Sequence, residues 1–568
     1  MRYKKLAELY ENISSTPKRL EKIKILGKFL EYLPDEDKEV LYLLLGNIYP
    51  EYNEKKIGIS NQLTIKAISK ATGIEEEKVV TEWKSLGDLG KVSEKLTKNK
   101  KQSTLHSQIL TTKKVLENLK KLPELEGIGT VRKKISLITE LLTSASPIES
   151  IYLVRTLIGD LRIGVQESTI REALAEAFFP DNKKQASEKI QKAIDKSNDI
   201  LKVFDIVKKG KLKELDKISI EVGKPIKAML AQKVSTIKDG FEKLGKPCAI
   251  EYKYDGFRLI IHKTEKKVIL FTRRLENVTK QFPEVVSYVL KYIKGKSFIL
   301  DSEAVGFDPK TKEYKPFQEI SQRIRRKYDI EKLQKELPIE VNIFDIFYYN
   351  GKSMLDIDFE KRTALIKKII KNHPYKIIQA KQIITDSEST AEKFYKNALK
   401  DNQEGVMMKN LSSIYQPGNR VGHMLKVKPE DRDFDLVITG AEYGTGKRSG
   451  WLSSFILSCK DEDKFLEIGK MGTGIKEKHE QGTSFEELTK KLKPLITKEK
   501  GKFVEIKPKI VVSITYQEIQ KSPNYNSGFA LRFPRFTELR TDKPLSEITT
   551  LKEVKKDFEN QKRNYKYG

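Results

Sequence analysis

Ile250-Glu251-Tyr252-Lys253-Tyr254-Asp255-Gly256-Phe257-Arg258 is the stretch from which the rest of the chain is best read. Cys248 to Lys253 has strand character, Phe257 to His262 has it again, and Asp255-Gly256 between them is a turn signal, so a hairpin is expected. Alternation along the first strand puts Glu251 and Lys253 on one face and Ile250 and Tyr252 on the other. Lys253 is therefore an amine on an anchored strand beside a tight turn, and it is the candidate nucleophile. A solvent-exposed hairpin lysine would carry the same local pattern, so the decision rests on the remaining sequence.

The chain has 568 residues, more than one hydrophobic core normally supports, and two to four domains are expected. Lys and Arg number 109 against 80 Asp and Glu, a net charge of +29 that favours a polyanionic partner, nucleic acid above all. Two cysteines, Cys248 and Cys459, build neither a disulfide framework nor a four-cysteine zinc module, which fits a reducing, cytoplasmic setting. No apolar run is long enough to span a membrane and no signal core opens the chain.

To about residue 205 the pattern is helical and lysine-rich. Thr16-Pro17 reads as a cap before a helix carrying Leu20, Ile23, Leu26, Phe29, Leu30 and Leu33, and Ser146 to Glu149 reads as a capping box. Gly159-Asp160-Leu161-Arg162-Ile163-Gly164-Val165 interrupts the helices, with a new one expected near Thr169. From about 216 to 428 strand signals dominate. Val268 to Thr272 leads into Arg273-Arg274-Leu275-Glu276-Asn277. Phe298 to Glu303 is an apolar strand ending in two carboxylates of one parity, Asp301 and Glu303, which are costly to desolvate unless they serve a cation or a hydroxyl. Ile343 to Tyr349 is a third strand, in which Phe344 or Phe347 serves as core or as a platform for a base. Lys426 and Lys428 alternate with Leu425 and Val427, so both ammonium groups leave one face of a half-buried strand, as suits a phosphate. Alternation does not bring Glu404 and Lys409 to one face, and if both serve one site a bulge or strand end must intervene.

Beyond 429 come short, evenly spaced strands with glycine turns, the mark of a small barrel. Gly440 to Ser449 nearly mimics a phosphate-binding loop. Its glycine spacing is one too long and Arg448 stands where a hydroxyl is required, so a basic hairpin touching a nucleic-acid backbone is expected instead. Arg532-Phe533-Pro534-Arg535-Phe536 follows, and the tail past Pro544 reads as one charged amphipathic helix.

In order, the chain offers K-x-D-G-x-R, T-R-R-L-E-N, D-S-E, E-G-V-M-x-K, K-x-K and R-F-P-R-F. This series resembles the covalent nucleotidyltransferases, and most closely the ATP-dependent DNA ligases of the archaeal and eukaryotic replicative type. The resemblance covers nearly the whole chain. It implies an all-α DNA-binding domain (1–215), an α+β adenylation domain (216–428) and a β-barrel oligonucleotide-binding (OB-fold) domain with a C-terminal helix (429–568), acting as a monomer on nicked double-stranded DNA. Lys253 would attack the α-phosphate of ATP and carry AMP as a phosphoramidate. Glu251 would read the adenine amino group and Phe344 stack on the base. Arg258 and Arg273 would hold ribose or phosphates, Glu303 the ribose or Mg²⁺, and Glu404 Mg²⁺. Lys409, Arg420, Lys426 and Lys428 would lie about the α-phosphate, while Arg532 and Arg535 would orient the leaving pyrophosphate. A lysine amine near its ordinary pKa of about 10.4 is protonated at neutral pH, and Lys426, Lys428, Arg258 and a divalent metal are expected to disfavour the ammonium form.

Relatives can carry a sliding-clamp segment where Gln102-Ser103-Thr104-Leu105-His106-Ser107 stands, but the aromatic pair that would fill the clamp pocket is missing here. An RNA ligase or capping guanylyltransferase is the nearest rival reading, and a non-catalytic DNA-binding protein with a decayed pocket is another. The long helical N-terminus speaks against the former and the joint presence of Lys253, Glu303, Glu404, Lys426 and Lys428 against the latter. NAD as donor would bring the zinc module that two cysteines cannot build.

Overall fold

Helices of the N-terminal third follow the capping chemistry of the chain. In this computed structural model all residues are described except 54, 99–108, 128, 327, 430, 431, 478–481 and 568, together with the side chains of 318, 325, 447 and 562–567. The backbone N–H and hydroxyl of Ser146 donate to the Glu149 carboxylate at 2.8 and 2.6 Å and start the helix Pro147–Leu157. The helix Arg19–Glu31 begins two residues later than Thr16-Pro17 suggests, and Leu20 is 73% exposed rather than core, whereas Ile23, Leu26, Leu30 and Leu33 are buried. In the 159–165 interruption Arg162 adopts a left-handed backbone (φ 57°) and donates to Asp160 at 2.6 Å, and the next helix is Glu167–Phe178. Among the described residues no helix is long and apolar enough to cross a membrane.

Contacts divide the chain into two compact units. One holds Met1–Ile59, Gln108–Leu141 and Thr156–Pro429, and the other holds Ser60–Ser107, Leu142–Arg155 and Glu430–Gly568.

The first unit contains two sheets. Their strands are β1 (Leu230–Val234), β2 (Cys248–Lys253), β3 (Phe257–Lys263), β4 (Val268–Thr272), β5 (Phe298–Phe307), β6 (Tyr314–Lys315), β7 (Ile339–Tyr349), β8 (Lys352–Ser353), β9 (Ile377–Gln379), β10 (Gln382–Thr385), β11 (Gly405–Lys409) and β12 (Arg420–Val427). One sheet runs β1-β12-β11-β2-β10, and the other runs β4-β3-β5-β7-β8 with β6 on β5 and β9 on β7. The expected hairpin at Asp255-Gly256 is therefore corrected: β2 and β3 do not pair, and the chain crosses there from one sheet to the other. Gln403 fixes the crossing by accepting from the Asp255 N–H at 3.0 Å. A Cβ on Gly256 would lie 2.3 Å from the Ala304 carbonyl oxygen, so only glycine lets the crossing pass this close to β5. The second sheet buries Leu259, Ile261, Leu300, Val341 and Ile343 against the helices Pro283–Tyr292 and Phe359–Ile369, and Ile250, Val406, Met408 and Leu425 centre the core beneath the first. Both cysteines are buried free thiols.

The second unit is β-rich beyond residue 431. It has β13 (Arg432–Tyr443), β14 (Leu452–Asp461), β15 (Lys464–Met471), β16 (Ile496–Lys500), β17 (Phe503–Ile506), β18 (Val511–Tyr516), β19 (Glu518–Lys521), β20 (Phe529–Arg532) and β21 (Arg535–Leu539). The long β13 changes partners along its length, pairing with β18 over 432–437 and with β17 over 440–442, and its register against β14 shifts between Ile438 and Gly440. A strand shared in this way bends the sheet around a core of Leu436, Phe455, Leu457, Val512 and Ile514. The Phe536 N–H on β21 donates to the Thr473 carbonyl just past β15 at 2.9 Å, so the far strands meet as the barrel pattern requires. The tail forms a short 3-10 turn, Leu545–Glu547, and then the helix Leu551–Tyr567, whose Phe558 packs edge-on against Phe529.

Candidate functional site: a cluster of charge where two sheets meet

The charged residues nearest Lys253 come from β2, β3, β5, β11 and β12, or from the residues that flank them. At the end of β2 the Lys253 ammonium is ion-paired with Glu404, and Lys428, just past β12, pairs with the same carboxylate. Gly405 explains how Glu404 gets there. Its φ of 136° is a glycine conformation and a Cβ on it would lie 2.2 Å from the Val427 carbonyl oxygen, so the alternation of β11 stops there and Glu404 joins the face that Lys409 occupies. Burial works against the charge of Glu404, but Lys253 and Lys428 more than offset it and hold the carboxyl at about 2. Glu404, assigned from the resemblance to a metal, is here the ion-pair partner of Lys253. Lys426 and Lys428 are each lowered, first by burial and then by the charge of Lys253, as a crowd of ammonium groups short of an anion should be.

Glu303 lies directly opposite Arg258 on the neighbouring strand. Its carboxylate takes part in no hydrogen bond or ion pair among the described residues, and burial pushes it up to about 8 despite Lys253 and Arg258, with Glu404 and Asp301 adding to the rise. β5 runs on to Phe307, so Asp301 and Glu303 sit in mid-strand rather than at its end. Asp301 is fully buried and takes both Nε and Nη2 of Arg258, while the Arg258 guanidinium also donates to the Tyr415 hydroxyl at 2.8 Å. Burial opposes the charge of Arg258, and Asp301 overrides it, holding the guanidinium above its usual range. Across the sheet, Asp345 faces Asp301 and has its own buried partner, Arg362, at 2.7 Å.

Glu251 is 2% exposed, with one oxygen 2.6 Å from Lys409 Nζ and the other accepting from Gln382 Nε2 at 2.7 Å. Lys409 is thus buried as the partner of Glu251, 5.0 Å from the Phe344 ring centroid, rather than open to a phosphate. The choice left between the two phenylalanines resolves cleanly. Phe347 is core, and Phe344 is half-buried with Lys409 and the Arg258 guanidinium over its ring. Arg420 is exposed, bonded to the Ala231 carbonyl at 2.8 Å, and close enough to Lys426 to disfavour its charge. Arg273 stands exposed after β4 without an ion pair among the described residues.

Tyr415, Asp345, Arg362 and Gln382 escaped the sequence reading of the site, and Asp301, singled out there for its shared parity with Glu303, serves the cation of Arg258. Among the described residues no three His, Cys, Asp or Glu side chains converge on a metal position. In the second unit Arg532 pairs with Glu518 at 3.2 Å beneath Phe533, which is 69% exposed, and Arg535 is exposed on β21. Arg448 of the 440–449 hairpin is bound to Glu477 and lies 4.0 Å over the Phe485 ring. The Gln102 to Ser107 segment lies outside the described residues.

Three ammonium groups, those of Lys253, Lys426 and Lys428, gather about Glu404 in a way that suits a polyphosphate, and Lys409 links Glu251 to Phe344. Comparison with known proteins gives the same direction. Family models for a DNA ligase N terminus, an ATP dependent DNA ligase domain and an ATP dependent DNA ligase C terminal region match residues 2–175, 228–428 and 448–543. The chain is 44% identical over 566 residues to a DNA ligase of Nanoarchaeum equitans and 40% identical over 566 residues to one of Thermococcus onnurineus, with 99% of each chain covered in both cases. A solved structure titled "Pmar-Lig_Pre." shares the fold with a TM-score of 0.58 at 19% identity, over 94% of this chain and 99% of that one.

Proposed function

Because the chain belongs to the ATP-dependent DNA ligase family, we propose that Lys253 is the residue that becomes adenylated and that the cluster around it serves the three steps of nick sealing. As a ligase of this family the enzyme seals nicks in duplex DNA through adenylate intermediates, with ATP as donor. The observation that carries the assignment is the convergence of Lys253, Glu404, Lys426, Lys428 and the unpartnered Glu303 at one place.

In the first step the neutral Lys253 amine attacks the α-phosphorus. A P–N bond forms, the bond to the β-phosphate oxygen breaks and pyrophosphate leaves, the amine's proton passing to solvent. A DNA 5′-phosphate oxygen then displaces the lysine, forming a pyrophosphate link to AMP. Finally the 3′-hydroxyl attacks that 5′-phosphorus, AMP departs and the phosphodiester is complete. Positioning and charge stabilisation dominate such chemistry. Lys426 and Lys428 neutralise charge gathering on the α-phosphate, Glu251 and Phe344 fix the base, and Arg258 keeps Nη1 free for ribose or phosphate once Asp301 and Tyr415 have oriented it. Arg273, Arg420, Arg532 and Arg535 are assigned to phosphate contacts made along the three steps.

Mg²⁺ fits the donors present. Glu303 is a half-buried carboxylate in want of positive charge, Glu404 is a second carboxylate, held by Lys253 and Lys428, and two carboxylates completed by substrate phosphates is how this ion is ordinarily held. When bound, it would supply charge neutralisation on the triphosphate. The domain division at 215 and 428, a monomeric state and a cytoplasmic location, where ATP and the genome meet, belong to the same proposal. The N-terminal family match over 2–175 favours this reading over an RNA ligase or a capping enzyme.

The test is incubation with α-labelled ATP followed by a chase with nicked DNA. Wild-type protein should take the label and lose it to the nick, and Lys253→Ala should do neither. A labelled Lys253→Ala protein would remove Lys253 as the nucleophile.

A further inference from the structure

Glu251 is gripped from both sides, and one of the two grips belongs to a polar chain that the reaction itself does not need. Gln382 lies directly opposite Glu251 in the β10–β2 register and donates to it at 2.7 Å. Behind Gln382, the Thr363 hydroxyl donates to Gln382 Oε1 at 3.2 Å, and behind Thr363, Gln379 Nε2 donates to the same hydroxyl at 3.4 Å. The three residues come from β10, the helix Phe359–Ile369 and β9.

An amide side chain can be turned either way, but here its orientation is set by its neighbours. Turned over, Gln382 would oppose its own oxygen to a carboxylate, and the Thr363 hydrogen would face an NH₂ group. Every donor in the chain therefore points toward Glu251, and Lys409 donates from the other side at 2.6 Å. Burial raises the Glu251 carboxyl, Lys409 and Gln382 oppose the rise and Asp345 adds to it, so loosening either grip pushes the group further toward its protonated form.

We infer that Gln382, held by Thr363 and Gln379, is a positioning residue for donor choice: it keeps Glu251 an acceptor-only carboxylate, so that the active site accepts adenine and rejects guanine. The chemical basis is the edge of the two purines. Adenine presents an amino donor at the position where guanine presents a carbonyl acceptor, and an ionised carboxylate rewards the first and repels the second. A protonated Glu251, by contrast, could donate to the guanine carbonyl. The inference rests on the assignment of Glu251 to the base.

Its test compares kcat/KM for formation of the labelled lysyl nucleotide from ATP and from GTP in the full-length wild type and four full-length variants. Gln382→Leu removes the donor, and Gln382→Glu forces two facing carboxylates to share a proton. Both should narrow the ATP preference by about tenfold or more, the worth of one hydrogen bond to a charged group. Thr363→Val should narrow it less. A mere loss of stability would slow both donors alike and leave the ratio unmoved. Unchanged ratios in both Gln382 variants overturn the inference. Glu251→Gln separates the two levels: if it shifts the ratio while the Gln382 variants do not, base reading by Glu251 stands and the relay falls. If it does not shift the ratio, base reading by Glu251 falls and takes the relay with it.

Discussion

Lys409 Nζ lies 2.6 Å from the Glu251 carboxylate, and the two side chains are only 6% and 3% exposed. Removing one member of such a pair strands the other as an uncompensated buried charge. Lys409→Met should therefore cost about 3–5 kcal/mol of unfolding free energy, read by chemical denaturation, and should weaken ATP binding with it. A variant as stable as wild type would mean that the pair is not buried as described.

Gly405 offers a sharper test of how the site is assembled. Gly405→Ala meets a φ of 136° and a carbonyl oxygen 2.2 Å from its new methyl group. The expected cost is about 2 kcal/mol or more. Because Glu404 leaves the strand through this residue, label transfer from ATP should drop further than the loss of folded protein explains. Circular dichroism melts beside single-turnover labelling would separate the two effects, and normal labelling by the variant would contradict the assigned role of the glycine.

Asp195 in the helix Lys183–Ser197 makes stability depend on pH in a definite direction. Burial pushes its carboxyl from 3.8 up to about 6, although Gln191 donates to it at 2.8 Å. The folded state thus holds this proton more tightly than the unfolded chain does. Its contribution is fully present below about pH 4 and is lost as pH climbs toward 6. Asp195→Asn should remove that decline, matching wild type near pH 4 and exceeding it by about 1–3 kcal/mol at pH 7. Melting curves across pH 4 to 8 would show it, and parallel curves for the two proteins would refute it.

The +29 net charge predicts a steep salt response in nicked-DNA affinity. Between 50 and 200 mM salt the dissociation constant should rise by about tenfold at the least, and by far more if six or more phosphates are contacted. Fluorescence anisotropy with a nicked duplex measures it, and a flat response would exclude phosphate contacts as the main source of affinity.

Much of the site was legible because its signals are local. Lys253 stands out through the turn that follows it, and Lys426 and Lys428 through simple alternation along β12 and its end. What escaped depends on facts that neighbouring residues do not encode. Asp255-Gly256 looks the same whether the next strand pairs with the last or leaves for another sheet, because a turn sequence constrains dihedral angles and not the hydrogen-bond partner that follows. Glu404 and Lys409 seemed to face apart until the backbone of Gly405 supplied the missing half-turn. Gln382, Thr363 and Gln379 occur on three elements with no shared period, so nothing in their spacing announces that they touch. Leu20 obeys the helical spacing and still faces outward, since periodicity fixes a stripe but not where neighbouring elements stop covering it.

The crossing at Tyr254 to Gly256 has a mechanical consequence. Lys253 is the last residue of β2 in one sheet and Phe257 the first residue of β3 in the other, so three residues join the two sheets. With the Asp255 N–H pinned by Gln403 and Gly256 pressed against β5, that joint has no slack. The proposed nucleophile is thus mounted on the seam of the building rather than on either wall, and the two sheets cannot part without pulling on Lys253 itself.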